Sequence, residues 1–167
     1  MVLKYNGFYI SRYEAGNDNE TVVNKQNSTV YVNETQTSFK EKGKSMYDNS
    51  NVKSAMCSGI QWDMAMKFID GKKSATDSVF EVKTYNPDRH RDEVEKSGKN
   101  LADKVQNIYD LEGNCYEYVA KKNTIQPKGP FVKRGGGYKN NDSSSIRSSS
   151  GDVKLNYITS RIVMYVM

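Results

Sequence analysis

Few residues in this chain of 167 are suited to nucleophilic, redox or metal chemistry, because it contains one histidine and two cysteines. His90 lies in a run of mixed charges at 88–93, which is typical of a solvated surface. A histidine-based triad therefore lacks support, and a metal site with several histidines is excluded. Cys57 and Cys115 follow no metal-ligand spacing, so we interpret them as reduced thiols. The acidic residues show no pairing that would indicate general acid–base catalysis.

A segment rich in small polar side chains near the C-terminal end is the second chemical signal. Residues 138–150 read YKNNDSSSIRSSS, of which 8 of 13 are Asn or Ser, and residues 156–159 (NYIT) continue that composition. Recognition surfaces use Tyr for rigid contact area, Ser and Asn for adaptable hydrogen bonds, and Arg for directional charge. The same run is also typical of a plain flexible loop. Composition alone leaves both interpretations open.

The remaining composition predicts the scaffold that must position these residues. The chain holds 15 Val and 8 Ile but only 4 Leu and 6 Ala, which favours sheet over a helical bundle. Its 16 Asn and 17 Ser indicate much irregular surface, whereas 12 Tyr and 5 Phe supply the bulk that disordered chains lack. We expect one folded domain, residues 1–167, with a small core.

Charge and hydropathy argue against two further classes of function. No apolar run approaches the roughly 18 residues of a membrane span, and the start, MVLKYNGFYI, lacks the core of a signal peptide. The net charge of +5 allows acidic partners, but basic and acidic residues alternate along the chain. Nucleic-acid binding is therefore disfavoured. The localisation stays unknown.

Two capping boxes predict two short helices. Ser38 followed by Glu41 predicts a helix to about Tyr47, and Ser58 followed by Gln61 predicts a second helix with the sequence IQWDMAMKFID. That second helix is apolar around most of its circumference, so we expect it to be buried all round, with Asp63 and Lys67 pointing outward.

Alternation and β-branched content predict short strands. They are residues 7–15, a short strand at 30–32, VFEVKTY, NIYDL, CYEYVA, FVKR and the final SRIVMYVM. Loops are predicted at 16–29, at 121–130 and over GGGYKNNDSSSIRSSSGD, with a turn at 112–114. The last strand is apolar on both faces, which suits a central position, and we expect the two terminal strands to pair. The fold class is therefore α+β.

Five of these segments, in this order, resemble the formylglycine-generating-enzyme-like (sulfatase-modifying-factor-type) family. GFYISRYEAG is similar to "GFYIGRYEVT", CSGIQWDMAMKFI to the "SGTQWDxxLKWI" of bacterial and prophage members, and NIYDLEGNCYEYV to "NVYDMSGNVWEWV". RGGGY resembles "RGGSW", and SRIVMYVM resembles "GFRVALYV". The resemblance implies a variant of the C-type lectin fold, with two short helices, small antiparallel sheets and long irregular loops.

The resemblance argues against the family's catalytic activity in this chain. Catalytic members hold copper on a cysteine pair that follows the "RGGSW" segment, because thiolates bind Cu(I) well. This chain has no cysteine after Cys115, so the ligands are missing where the resemblance would place them. We predict that the protein is not an enzyme. A residual oxidase of the formylglycine-generating type, or another catalyst on the same scaffold, is the alternative.

Non-catalytic members of the family include phage tail and prophage proteins and the variable proteins of diversity-generating retroelements. In the latter, adenine-directed mutagenesis fills positions near the C-terminus with Asn, Ser, Asp, Tyr, Thr and Ile. The resemblance therefore implies a ligand-binding (receptor-recognition) module with a variable display segment at 138–160 and a protein or cell-surface partner. The predicted contact residues are Tyr138, Asn140, Asn141, Asp142, Ser144, Arg147, Asn156 and Tyr157, with the first and last as anchors. Such modules usually follow an attachment region, so 1–167 could be the C-terminal part of a longer protein.

The family often carries calcium near its "GNVWEW" segment. The resemblance therefore implies Asn114 and Glu117 as calcium ligands through their hard oxygens. The alternative is a turn residue followed by a strand carboxylate without metal. No other cofactor is implied.

Overall fold

The computed structural model describes residues 7–70, 92–122, 129–139 and 146–167. These residues form an α+β fold, as predicted, with helices α1 (Gln36–Ser45) and α2 (Gly59–Asp70) and a short 3-10 helix (Leu101–Asp103). The strands are β1 (Tyr9–Ile10), β2 (Gly16–Asp18), β3 (Thr21–Val23), β4 (Val52–Met56), β5 (Lys104–Val105), β6 (Ile108–Tyr109), β7 (Tyr116–Lys122), β8 (Phe131–Arg134), β9 (Arg147–Ser150), β10 (Ile158–Ser160) and β11 (Ile162–Val166).

The terminal strand β11 is the centre of a three-stranded antiparallel sheet. The order is β1-β11-β4, with Tyr9 opposite Met164 and Met56 opposite Ile162. Both predictions for this strand, its central position and its pairing with the first strand, are confirmed. The first strand is shorter than the predicted 7–15, because the Ser11 hydroxyl donates to the carbonyl of Tyr13 at 2.8 Å and closes a local turn.

A second sheet has four strands in the order β10-β7-β8-β9. Its β10–β7 pair is parallel, whereas β7–β8 and β8–β9 are antiparallel. Strand β8 confirms the prediction for FVKR. Strand β9 corrects the prediction of an irregular stretch, because RSSS pairs along its whole length with β8 despite its low β propensity.

A small hairpin corrects the prediction of a continuous loop at 16–29. Strands β2 and β3 pair antiparallel through Asn19 and Glu20, whose φ angles are 48° and 62°. Two consecutive positive φ angles are typical of the type I′ turns that join strands tightly. The short strand predicted at 30–32 is only a single bridge between Val30 and Gly16.

The first helix begins earlier than its predicted capping box. Its N-cap is Thr35, whose side chain accepts a hydrogen bond from the Ser38 backbone N–H at 3.1 Å. Thr35 and Ser38 are separated by the same number of residues as the predicted pair Ser38 and Glu41, but they lie one turn earlier in the chain. The helix begins after Thr35 because the Thr35 side chain forms the cap.

The second helix confirms its capping box. The Ser58 backbone N–H donates to Gln61 Oε1 at 2.9 Å, and the Gln61 backbone N–H donates to Ser58 Oγ at 3.3 Å. The same helix packs with one stripe inward, on which Trp62 and Met66 are buried.

The prediction that α2 is buried all round is wrong. Ile60, Met64 and Phe68 are 72%, 44% and 66% exposed. These residues are four apart and share one face, which points away from the sheets. Lys67 is exposed as predicted, but Asp63 is half-buried because two arginines bind it.

Two apolar clusters form the core. The first lies under α2 and contains Cys57, Trp62, Met66, Ile69, Ile108, Leu111, Val119, Val132, Val163 and Tyr165. The second lies under α1 and contains Ala15, Val22, Tyr31, Phe39, Met56, Tyr116, Tyr118, Phe131, Ile158 and Ile162. The four-stranded sheet therefore contributes one face to each cluster.

The predicted turn at 112–114 is confirmed, with φ angles of 94° at Gly113 and 52° at Asn114. The predicted VFEVKTY strand and His90 lie outside the described residues. Within the described ranges, no helix has the length and apolar character needed to cross a bilayer.

Candidate functional site

The candidate site is a surface cleft of about 410 Å³ at one end of the four-stranded sheet. Strands β7 and β10 run parallel and both begin at this end, whereas the antiparallel β8 ends there. The cleft is lined by Tyr116, Lys133, Gly137, Tyr138, Lys139, Asn156 and Tyr157. Three segments that are distant in sequence therefore meet around one opening.

Tyr116, the first residue of β7, forms the floor of the cleft and is only 5% exposed. Its backbone N–H donates to the carbonyl of Tyr157 at 3.0 Å, and the two rings meet edge to face with centroids 6.2 Å apart. Gly137 is required beside it, since a Cβ there would lie 2.8 Å from Cε2 of Tyr116. The chain after β8 thus lies directly against the Tyr116 ring.

Two lysines place their ammonium groups beside the tyrosine rings of the cleft. The ammonium of Lys133 lies 3.8 Å from the centroid of the Tyr116 ring and 5.7 Å from that of Tyr157. The ammonium of Lys139 lies 5.4 Å from the centroid of the Tyr138 ring. These are cation–π distances. Among the residues that the structure describes, the lining includes these two lysines and no acidic residue.

Three of the predicted contact residues lie together in the cleft. Tyr138 and Tyr157, the predicted anchors, are half-buried, and Asn156 is exposed at the rim. Asn140, Asn141, Asp142 and Ser144 lie outside the described residues.

Arg147 is not in this cleft. It is opposite Arg134 in the β8–β9 ladder and therefore shares the face of Arg134, whereas Lys133 points to the other face of the sheet. Its guanidinium donates to Asp63 Oδ2 at 2.7 Å, and Arg134 donates to Asp63 Oδ1 at 2.7 Å. Arg134 also lies 5.7 Å from the Trp62 ring, and its burial lowers the pKa of its guanidinium. Arg147 thus closes a contact between β9 and α2.

Sequence reasoning missed Tyr116 and Lys133 as cleft residues. Tyr116 belonged to a motif that resembles a family scaffold segment, and Lys133 stood in a short predicted strand. Their role arises from the parallel β10–β7 pairing, which places Tyr157 beside Tyr116. A local pattern contains no signal for such a pairing.

Behind the cleft, a buried ion pair joins β7 to the segment between β10 and β11. Arg161 donates from Nη2 to Glu117 Oε1 at 2.6 Å and from Nε to both carboxylate oxygens at 3.1 Å. The same guanidinium donates to the carbonyls of Ser11 at 3.0 Å and Tyr109 at 2.8 Å. Arg161 and Glu117 are fully buried, so this pair connects four segments in the interior.

Glu14 is the second buried carboxyl group of this region. Its Oε2 accepts from the amide of Asn114 at 2.5 Å, and its Oε1 accepts from the backbone N–H of Cys115 at 3.0 Å. Burial raises the pKa of Glu14 well above its ordinary value, the negative charges of Asp110 and Glu117 raise it further, and Arg161 opposes them. Glu14 is therefore prone to hold a proton that an exposed glutamate would release.

The two residues that the resemblance implies as calcium ligands both belong to this interior. The Asn114 amide is engaged by Glu14 and by the backbone of Glu95, and both oxygens of Glu117 accept from Arg161. A cation would have to displace these partners. Within the described ranges, no group of three or more His, Cys, Asp or Glu residues could hold a metal ion. The calcium ligands stay a prediction, and we derive no function from them.

Cys57 and Cys115 are both buried, reduced thiols, as predicted. Burial raises the pKa of the Cys57 thiol, with a further contribution from the charge of Glu117. Since the thiolate is the nucleophile and the metal ligand, this environment makes Cys57 unreactive.

Comparison with known proteins gives one structural similarity. No family model matches the chain, and no curated protein matches it. Among solved structures, the chain is similar to Treponema denticola variable protein 1, with 15% sequence identity and a TM-score of 0.48. The match covers 91% of this chain and 61% of that protein, so the chain spans less than two thirds of its length. The resemblance to the formylglycine-generating-enzyme-like family stays a prediction that rests on the motifs.

Proposed function

We propose that this chain is a non-enzymatic ligand-binding module whose contact surface is the tyrosine–lysine cleft. The observation that carries the proposal is that Tyr138 and Tyr157, selected from composition, line one cleft together with Tyr116 and Lys133. Half-buried tyrosines on a strand framework offer rigid contact area at low conformational cost.

The proposed setting is a variable protein of a diversity-generating retroelement or a phage receptor-binding protein, built on a C-type lectin-like scaffold. The ordered motifs and the composition of residues 138–160 support this setting. A reverse transcriptase gene beside a near-copy of these codons that differs at adenines would test it. Codons without such a copy would contradict active diversification.

The test of binding is a double substitution of the anchors. Binders to the immobilised chain are selected from a random peptide library and on a glycan array, and each is measured against Y138A/Y157A. We expect the variant to lose at least tenfold in affinity, since two interface tyrosines typically cost more than 1 kcal/mol each. The matched control is Y9A/Y47A, which removes two exposed tyrosines outside the cleft. Equal binding by a folded Y138A/Y157A, or no selected binder, would contradict the proposal.

A further inference from the structure

Two arginines face each other where the chain leaves the four-stranded sheet and enters it again. Arg134 is the last residue of β8, Arg147 is the first residue of β9, and the two are directly opposite in the antiparallel ladder. We call this pair the neck. Gly137 and Tyr138, which line the cleft, follow Arg134 along the chain. The neck therefore lies at the base of the segment that carries one of the two proposed anchors.

Asp63 of α2 binds both sides of the neck with one carboxylate. Its Oδ1 accepts from Nη2 of Arg134 at 2.7 Å, and its Oδ2 accepts from Nη2 of Arg147 at 2.7 Å. Like charges directly opposite each other on neighbouring strands are destabilising. The Arg134 side chain is only 2% exposed, so its charge also needs a partner. The Asp63 carboxylate meets both requirements, because it lies between the two guanidinium groups.

The neck is fixed relative to the core on two sides. Trp62, which precedes Asp63 in α2, is fully buried, and its ring lies 5.7 Å from the Arg134 guanidinium. Gly135 has a φ angle of 70°, and a Cβ there would lie 2.9 Å from the carbonyl oxygen of Leu111. The helix thus holds the arginine side chains, and the chain that leaves the neck packs closely against the core.

The chain reaches the cleft a short distance after the neck. Tyr138 follows Arg134 by four residues, and each residue spans at most about 3.6 Å. Between them, Gly137 lies against the ring of Tyr116. A shift of the neck therefore moves Tyr138 relative to the floor of the cleft, and a displacement of about 1 Å is enough to loosen a binding site.

We propose that Asp63 is a positioning residue of the cleft, which holds Tyr138 in place for the ligand by binding Arg134 and Arg147. Arg147 is then a residue of the neck and not the ligand contact that composition predicted. This inference rests on the proposed function, because Tyr138 is one of its two anchors.

The test compares D63N with the parent chain, and its probes are heptapeptides selected on the full parent chain from a random library. We expect D63N to weaken these peptides about fivefold. A residue that acts through Tyr138 has no further effect once that ring is removed, so D63N should change the affinity of Y138A by less than about twofold. The matched control is D152N, which removes the same charge from a carboxylate that binds Thr37 beyond the far end of β9. D152N is expected to leave the affinity unchanged.

R147Q keeps the test decisive if D63N does not fold, because it leaves the buried Arg134 paired with Asp63. We expect R147Q to weaken the peptides about threefold, and only when Tyr138 is present. Amide NMR of the chains without ligand gives a spectroscopic check. The signals of Gly135, Gly137 and Tyr138 should shift more in R147Q than in D152N.

The outcomes separate this inference from the proposed function. Full affinity in a folded D63N, together with a loss in Y138A/Y157A, would overturn the inference and leave the cleft as the binding site. An equal loss in R147Q with and without the Tyr138 ring would identify Arg147 as a ligand contact and would also overturn it. Unshifted signals of Gly137 and Tyr138 in R147Q would overturn it even when no peptide is selected. Full affinity in every variant would overturn the inference and the cleft together.

Discussion

Replacing Arg161 by methionine tests whether the buried ion pair holds the scaffold behind the cleft. R161M keeps a long apolar side chain but removes every hydrogen bond that the guanidinium donates. Glu117 is then left as a buried carboxylate, and the carbonyls of Ser11 and Tyr109 lose this donor. Breaking a buried pair on one side typically costs about 3–5 kcal/mol of unfolding free energy. At about 2–4 °C per kcal/mol for a domain of this size, the melting temperature should fall by about 6–20 °C.

The assay is urea unfolding followed by circular dichroism and by tryptophan fluorescence. Trp62 is the only tryptophan and is fully buried, so its emission reports the core directly. The matched control is R12M, because Arg12 is exposed and, within the described ranges, its guanidinium contacts the exposed Asn107 and the Tyr13 ring. We expect R12M to cost about 1 kcal/mol or less.

A second substitution isolates the charge effect. In R161M, the further change E117Q removes the uncompensated carboxylate, so E117Q/R161M should be more stable than R161M, by about 0.5–3 kcal/mol. The reasoning is refuted if R161M costs no more than R12M. It is also refuted if E117Q/R161M is no more stable than R161M.

Three further predictions concern the helix face, the buried carboxyl group and calcium. F68S should change the unfolding free energy by about 0.5 kcal/mol or less because Phe68 is exposed, whereas M66A, at a buried position, should cost about 2–5 kcal/mol in the same urea titration. The pKa of Glu14 is raised above 4.5 in the folded chain, so the stability that its protonated form contributes is fully present below that pH and is lost as the pH rises. E14Q cannot lose this stability, so its free energy of unfolding should rise relative to that of the parent between pH 4 and 8. A difference in unfolding free energy that stays constant over this range would contradict the prediction. EDTA should leave the melting temperature unchanged if Asn114 and Glu117 keep their protein partners, and a fall that calcium reverses would restore the metal site.

The predictions that succeeded depend on contacts that are local or on strongly apolar sequence. The Ser58–Gln61 box is formed by residues of one helical turn, and its side chains meet whatever surrounds them. The final strand is apolar on both faces, which favours a central place in any sheet. A strand in a central place needs a hydrogen-bonding partner along each of its two edges, and the first strand is one of these partners.

The predictions that failed depend on what a segment packs against. A helix that is apolar all round can bury either side, and only the assembled sheets place Trp62 inward and Phe68 outward. Strand β9 has a sequence of low β propensity, and its partner β8 determines its conformation. Arg147 could have pointed to either face of that strand, and the ladder register places it with Arg134.

The cleft itself could be predicted only in part. Tyr138 and Tyr157 stand out by composition, but their meeting requires the parallel pairing of β10 with β7. The same pairing places the cleft directly in front of the Arg161–Glu117 pair, since Glu117 follows Tyr116 and Arg161 follows β10. We therefore interpret the interior pair as the rigid support of the proposed binding cleft.

The most direct test of the cleft as the binding site is an amide NMR titration of the full chain with a selected peptide. The account predicts that the largest chemical-shift changes belong to the residues around Tyr116, Lys133, Gly137–Lys139 and Asn156–Tyr157. Changes that instead cluster on the exposed face of α2 would contradict it.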